Sequence, residues 1–272
     1  MFVDTHCHLN IMVNKKPDDI LQGSDFPFIA SVLDNAQRAG VQKIINVGTS
    51  IPESMNSMEI AKRFDPVYAS VGVHPCDCNE MSHDEITQAV AQLETWLKDK
   101  EKNKIVALGE TGLDFYHKPY DKVRQTDSFV MHIERALEHK LPLVVHVREA
   151  GEEVLRVLEQ YVKNGVRGVI HCFSQNKDFA TTVLEWGFYC GLDAPIGYPK
   201  NEALRDVIKI MPLDRIVLET DAPFLPPQQF RGKQNSPVYI PLIAQMVADI
   251  KEVDVDEVEV VTTANVLKLF GI

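Results

Sequence analysis

Two histidines separated by one residue, His6 and His8, sit near the start of the chain in the run Phe2-Val3-Asp4-Thr5-His6-Cys7-His8. In an extended strand, side chains alternate between faces, so His6 and His8 share one face while Thr5 and Cys7 take the other. Two neutral imidazoles on one face can ligate a single divalent ion without strain, although a lone His-x-His pair is also compatible with two unrelated histidines. Four further residues narrow the choice: Glu110, His146, His171 and Asp221 each stand at or just beyond the end of a short apolar run. Taken singly, His146 reads as a core histidine bonded to a carbonyl, and Glu110 and Asp221 as helix caps. Taken together, four histidines and two carboxylates exceed one tetrahedral site and predict two divalent ions. In this reading Glu110 bridges them, His6, His8 and Asp221 hold one ion, and His146 and His171 hold the other. Asp221 has a second duty, orienting a water and accepting its proton as that water attacks. Magnesium, manganese and zinc all suit such a donor set.

The elements that must position these groups follow from hydropathy. Short β-branched or apolar runs alternate with helical periodicity along the whole chain, the pattern of repeated βα units. Strands are predicted over Phe2 to His8, Val41 to Gly48, Val67 to Val73, Ile105 to Gly109, Leu143 to Val147, Gly168 to Cys172, Phe188 to Leu192 and Ile216 to Thr220. Helices are predicted over Asp25 to Ala39, Ser82 to Lys98, Val123 to His139, Gly151 to Val162 and Ala203 to Ile210, with Pro237 to Ile272 packing helically outside. Eight strands, each followed by a helix, predict an α/β fold built as a single TIM-like (β/α)8 barrel, with residues 1–272 as one domain. A doubly wound open sheet would call for a Gly-rich turn after the first strand, where this chain has His6-Cys7-His8-Leu9-Asn10. In a barrel, the C-terminal strand ends converge on one mouth, which is where all six candidate ligands fall. The polar stretches Ile11 to Gly23 and Pro226 to Pro237 are expected to rim it.

The formal net charge is -11 over 272 residues. That balance argues against a protein that coats nucleic acid or anionic membrane through broad basic patches. No apolar run is long enough for a membrane helix, and the start lacks the basic and apolar regions of a signal peptide, so a cytoplasmic location is expected. Five cysteines, Cys7, Cys76, Cys78, Cys172 and Cys190, read as free thiols of a reducing compartment. Nothing near Cys76 and Cys78 in the sequence completes a tetrahedral metal set, so they read as loop thiols. Cys172 is expected to point away from the mouth if His171 points in, and no Gly-x-Ser-x-Gly elbow offers a serine nucleophile.

The chain resembles the TatD-type metal-dependent deoxyribonucleases, a branch of the amidohydrolase-like barrels. The resemblance rests on Asp4-Thr5-His6-Cys7-His8-Leu9, Gly72-Val73-His74-Pro75, Gly109 to Phe115, His146-Val147-Arg148-Glu149-Ala150, His171-Cys172-Phe173-Ser174 and Glu219-Thr220-Asp221-Ala222-Pro223. Arg231-Gly232-Lys233 through Pro237, with Asn265 and Leu269-Phe270, continues it. It implies a TIM-like barrel, divalent metals at the same six positions and hydrolysis of phosphodiester bonds in DNA, often 3′ to 5′ on single strands. It also implies that His74, Arg148 and Arg231 hold phosphate oxygens, where the plainer alternative is a rim salt bridge. The chain departs from the family pattern in a long Asn10 to Asp25 loop, in Gln175, and in Gly191 to Pro199, all of which bear on substrate choice. Other readings keep the metals but cleave a different bond, as a D-aminoacyl-tRNA deacylase or a small-molecule amidohydrolase. A metal-binding protein without activity fits less well with an intact Asp221.

Overall fold

A computed structural model describes residues 1–13 and 18–272. Eight parallel strands lie in sequence order: β1 (Phe2–Cys7), β2 (Val41–Val47), β3 (Val67–Val71), β4 (Ile105–Asp114), β5 (Leu143–Arg148), β6 (Gly168–Ile170), β7 (Tyr189–Leu192) and β8 (Ile216–Leu218). The expected TIM-like barrel is the fold observed. Closure between β8 and β1 is lighter than the other pairings. It uses one isolated bridge, Cys7 with Ala222, and the amide of Asp221 donating to the His6 carbonyl at 2.8 Å. Buried Asp4 reinforces the seam, its carboxylate accepting from the Thr220 amide at 3.0 Å and from the Thr220 hydroxyl at 2.6 Å.

The helices α1 (Phe26–Arg38), α2 (Ile51–Arg63), α3 (Pro75–Cys78), α4 (His83–Leu97), α5 (Lys122–His139), α6 (Gly151–Val162), α7 (Lys177–Glu185), α8 (Glu202–Ile210), α9 (Ile240–Lys251) and α10 (Val255–Phe270) follow the strands. Several of their starts are fixed by side-chain caps. Ser82 and Glu85 form a reciprocal capping box on α4, and Asp121 accepts from the amides of Val123 and Arg124 on α5. The apolar faces of these helices pack on the outward side chains of the strands, forming the main core with residues such as Ile44, Val145, Ile170 and Leu218. A second cluster fills the barrel's lower interior: Ile45, Val47, Ala107, Val144, Val169 and Val217, capped by Val266, Leu269 and Phe270 of α10.

The strand predictions differ from the structure mainly at their C-terminal ends. Strand β4 runs on to Asp114, where the sequence pattern suggested a stop at Gly109. Gly112, at φ 136°, makes the extension possible, because a Cβ there would collide with the backbone of His146 on β5. Conversely, β6 stops at Ile170 and β8 at Leu218, so His171 and Asp221 leave regular strand geometry. Of the polar stretch expected after the first strand, Asn14, Lys15, Lys16 and Pro17 lie outside the described residues; Ile11 and Asp18 reach the mouth. Among the described residues, no helix is long and apolar enough to cross a membrane.

Candidate functional site

A cavity of about 630 Å³ opens at the C-terminal ends of the strands, lined by His8, Glu110, His146, His171 and Asp221 among others. All six candidate ligands converge at its floor. Each arrives by a distinct route. His6 is the sixth residue of the chain on β1 and His8 lies one residue past its end, yet their Nε2 atoms are 3.1 Å apart. Glu110 lies within β4, His146 within β5, and His171 and Asp221 one and three residues past β6 and β8. Asp221 adopts a left-handed backbone at φ 56°, turning its carboxylate toward the histidines of β1.

The two oxygens of Glu110 face opposite halves of the floor. Oε2 lies 3.4 Å from His6 Nε2, whereas Oε1 lies 2.9 Å from both His146 Nδ1 and His171 Nε2. Asp221 Oδ1 stands 3.5 Å from His6 Nε2 and 3.4 Å from His8 Nε2. Two groups of donors result, His6 with His8 and Asp221, and His6 with Glu110 and His171, each with its ligand atoms within 4.8 Å of one another. A third such group joins His74 and His146 to Glu110.

The outward nitrogens of three of the histidines face acceptors, while His6 Nδ1 has no hydrogen-bond partner among the described residues. His8 Nδ1 lies 3.1 Å from the Val47 carbonyl, His146 Nε2 lies 3.1 Å from Asp114 Oδ2, and His171 Nδ1 lies 3.5 Å from Glu219 Oε1. Each acceptor favours a proton on the outward nitrogen, leaving the inward one with its lone pair free, as in the carboxylate–histidine–metal arrangement. The inward nitrogens crowd together, with His146 Nδ1 only 3.4 Å from His171 Nε2. A cation resolves that crowding. The donor set, oxygen and imidazole nitrogen on a buried floor, fits divalent ions.

His74 differs. Its Nδ1 accepts the amide proton of Cys76 at 3.1 Å, so the neutral ring carries its hydrogen on Nε2, which faces Glu110 Oε1 at 3.4 Å. His74 is a hydrogen donor to the site in this tautomer, and burial holds its pKa down, keeping it neutral.

The electrostatics reflect the crowding. Burial opposes charge on Glu110, but His171, His74 and His146 outweigh it and hold the carboxyl well below its usual range. Burial likewise opposes charge on His8, yet Asp221, Glu110 and Glu53 raise its pKa to about 9. For His6, burial and then His171 act in the same direction and lower the pKa. Without bound cations, protons on some of these imidazoles balance the two carboxylates, so cation binding must release protons.

One sequence expectation changes, and Arg231 stands apart from the cavity lining. Cys172 does line the cavity: the strand has ended at Ile170, and Cys172 at φ 43° breaks the alternation that would have turned it away. Its thiol lies 3.2 Å from buried Asp193 and its amide donates to Glu219 Oε1 at 2.5 Å. Arg231 is not among the cavity-lining residues; its guanidinium sits over Tyr198, 5.7 Å from the ring centroid. Arg148 does line the cavity, with its guanidinium over Tyr116. Sequence reasoning does not single out Asp114 and Glu219, which stand behind His146 and His171, or Asp193, which faces the Cys172 thiol. A carboxylate directly after an apolar strand, as in Val217-Leu218-Glu219, was the available signal.

The model of the TatD related DNase family matches residues 3–271. The chain is 33% identical over 273 residues to the metal-dependent hydrolase YabD of Bacillus subtilis, covering 100% of both chains. It is 31% identical over 248 residues to a 3'-5' ssDNA/RNA exonuclease TatD of Citrobacter rodentium, covering 89% of this chain and 91% of that one. Among solved structures, the TatD homolog YJJV of Escherichia coli superposes with a TM-score of 0.88 at 27% identity, covering 100% of this chain and 98% of that one. With the barrel, the mouth and these matches in hand, the chain belongs to the TatD related DNase family.

Proposed function

We propose that the protein is a metal-dependent hydrolase that uses two divalent ions (Mg, Mn or Zn) to cleave phosphodiester bonds in DNA, as a 3′–5′ exonuclease acting on single strands. The observation that carries this reading is Glu110, whose two oxygens face opposite halves of a floor lined with imidazoles. A carboxylate so placed suits a bridge, with His6, His8 and Asp221 on one side and His146 and His171 on the other. When bound, the ions supply Lewis acidity to the scissile phosphate and lower the pKa of the attacking water. Asp221 stays ionised: burial works against its charge, but His8, His6 and His171 outweigh it and lower its pKa. It can therefore orient the water and accept its proton. His74 presents an N–H to the same space and can donate to a phosphate oxygen or to the departing oxygen. Arg148 offers a forked contact to phosphate from the cavity wall. Arg231 stands outside the cavity lining with its guanidinium over Tyr198, so its proposed contact is to a phosphate beyond the reacting one.

The name of the Citrobacter rodentium relative supports a nucleic-acid substrate. The cavity wall restricts how that substrate is gripped: among the described lining residues, Arg148 is the only Lys or Arg, against Asp18, Glu53 and Asp77. Few phosphates can be neutralised by the protein itself, so DNA affinity should depend only weakly on salt. The same wall favours a second reading, hydrolysis of an ester whose acyl part carries an amine, as in D-aminoacyl-tRNA. Glu53 is 1% exposed and its Oε1 has no partner among the described residues, which suits an ammonium group.

Labelled single-stranded DNA, duplex DNA, D-aminoacyl-tRNA and a chromogenic phosphodiester, each assayed with Mg²⁺, Mn²⁺ and Zn²⁺, separate the readings. Processive shortening of single strands from the 3′ end, abolished in Asp221→Ala, is the expected result. Ester cleavage without any cleavage of DNA would replace the first reading with the second, and full activity of Asp221→Ala would remove the proposed base.

A further inference from the structure

The loop thiol Cys76 acquires in the structure the partners that its sequence neighbours do not provide. Helix α3 carries it to the end of β4, where its Sγ lies 3.9 Å from Nδ1 of His117, 41 residues away. That same Nδ1 lies 2.8 Å from Oδ2 of Asp114. Sulfur, nitrogen and oxygen all lie within 4.8 Å of one another. We propose that Cys76, Asp114 and His117 form a third cation site on the wall of the cavity, selective for zinc-class divalent ions over magnesium.

The geometry is close to what such an ion asks. Bonds of about 2.3 Å to sulfur and about 2.0 Å to nitrogen and oxygen, at tetrahedral angles, separate sulfur from nitrogen by roughly 3.6 Å and nitrogen from oxygen by roughly 3.3 Å. The observed separations bracket these values, and rotation of the exposed His117 ring, 62% accessible, covers the difference. The carboxylate is already fixed. Asp114 is fully buried, and its Oδ1 accepts the amides of Tyr116 at 3.0 Å and His117 at 2.9 Å, which aims Oδ2 at the other two donors. A thiolate with an imidazole selects zinc or cobalt, whereas magnesium prefers oxygen alone. Three protein ligands leave a fourth position open toward the cavity, which Asp114 and His117 both line.

Binding balances simply: the Cys76 thiol gives its proton to solvent, and the neutral His117 ring moves its hydrogen to the exposed Nε2, freeing Nδ1 for the ion. The site is separate from the paired-ion floor in composition, since no cysteine stands among the six residues there. The two meet through Asp114, whose Oδ2 also faces His146 Nε2 at 3.1 Å. An ion at this position adds positive charge to a wall whose described residues offer only Arg148, giving an incoming anionic group a second landing point.

The sulfur ligand gives a test that does not depend on catalysis. Full-length protein stripped of metal and titrated with Co²⁺ should develop a near-ultraviolet thiolate-to-cobalt charge-transfer band. Cys76→Ser and His117→Ala, both at accessible positions, should each lose that band and one bound ion per chain by elemental analysis. Glu110→Gln, which disturbs only the floor, should keep the band. Absence of the band in the unaltered protein, or its persistence in Cys76→Ser, would overturn the proposal; a band in the unaltered protein with no further ions bound at the floor would count against the paired-ion reading alone.

Discussion

The two ends of the barrel are made from the same strands and have opposite chemistry. Near the bottom, Val144, Val169 and Val217 point inward and are sealed by Leu269 and Phe270. Two residues further along the chain from each of these stand His146, still within β5, and His171 and Glu219, just past the ends of β6 and β8. The lower layer excludes water and gains free energy from burial, and it allows the upper layer to be polar and crowded. Stability thus resides at one end and candidate chemistry at the other, the usual division of labour in this fold.

That division can be attacked from both ends. The largest effect is expected at the mouth: Asp221→Ala should lower hydrolysis by about 10³- to 10⁴-fold, the scale of a lost general base, with little change in the urea midpoint. At the bottom, Phe270→Ala should cost about 3–5 kcal/mol in chemical denaturation while leaving kcat of the folded fraction unchanged. If Phe270→Ala altered kcat strongly, or if Asp221→Ala unfolded the protein, the two ends would not be separable.

Histidines sharpen the comparison. Those at the mouth face carboxylates, whereas buried His132 on α5 faces only backbone, accepting the Val73 amide at 3.2 Å and donating to the Ser128 carbonyl at 2.7 Å. Burial, opposed only by the Ser128 bond, lowers its pKa from 6.5 to about 4. The folded state prefers neutral His132, so as pH falls below 6.5 the unfolded chain takes the proton first. Stability present above pH 6.5 is then lost progressively toward pH 4, by about 3 kcal/mol in all. Denaturation midpoints at pH 7 and pH 5 should converge in His132→Gln, and an unchanged pH slope in that variant would remove His132 as the cause.

Behind the mouth, Glu219→Gln should weaken metal binding by about 10- to 100-fold, because His171 loses the charged acceptor on its outward nitrogen. Calorimetric titration with Zn²⁺ reads that loss. The smallest change is expected at the rim, where Arg231→Ala should raise KM by less than about threefold, as for an exposed charge away from the cavity. A larger rise would place Arg231 at the reacting phosphate itself.

Much of the architecture was legible in the residues. Apolar runs of strand length, spaced by helical periodicity, dictate parallel βα units, and eight of them dictate a barrel. The six candidate ligands could be named because polar groups at the ends of apolar strands have few other uses. The local sequence was less informative wherever the chain leaves a strand. Cys172 was expected to face away and lines the cavity, because alternation holds only while backbone dihedrals stay extended. The sequence pattern ends the fourth strand at Gly109 and β4 runs on to Asp114, because glycines that usually mark turns here allow β4 to pass close to β5.

The sequence by itself determined the periodicities, the fold class and the types of donor available at the mouth, since these depend on side-chain chemistry and on spacing along a single element. Only the tertiary structure decided which donors meet. It turned the two oxygens of Glu110 to opposite sides, placed the proton of His74 on the nitrogen that faces the site, and brought His117 to Cys76 across 41 residues. Those outcomes depend on distances between elements that are remote in sequence, and such distances are set by packing.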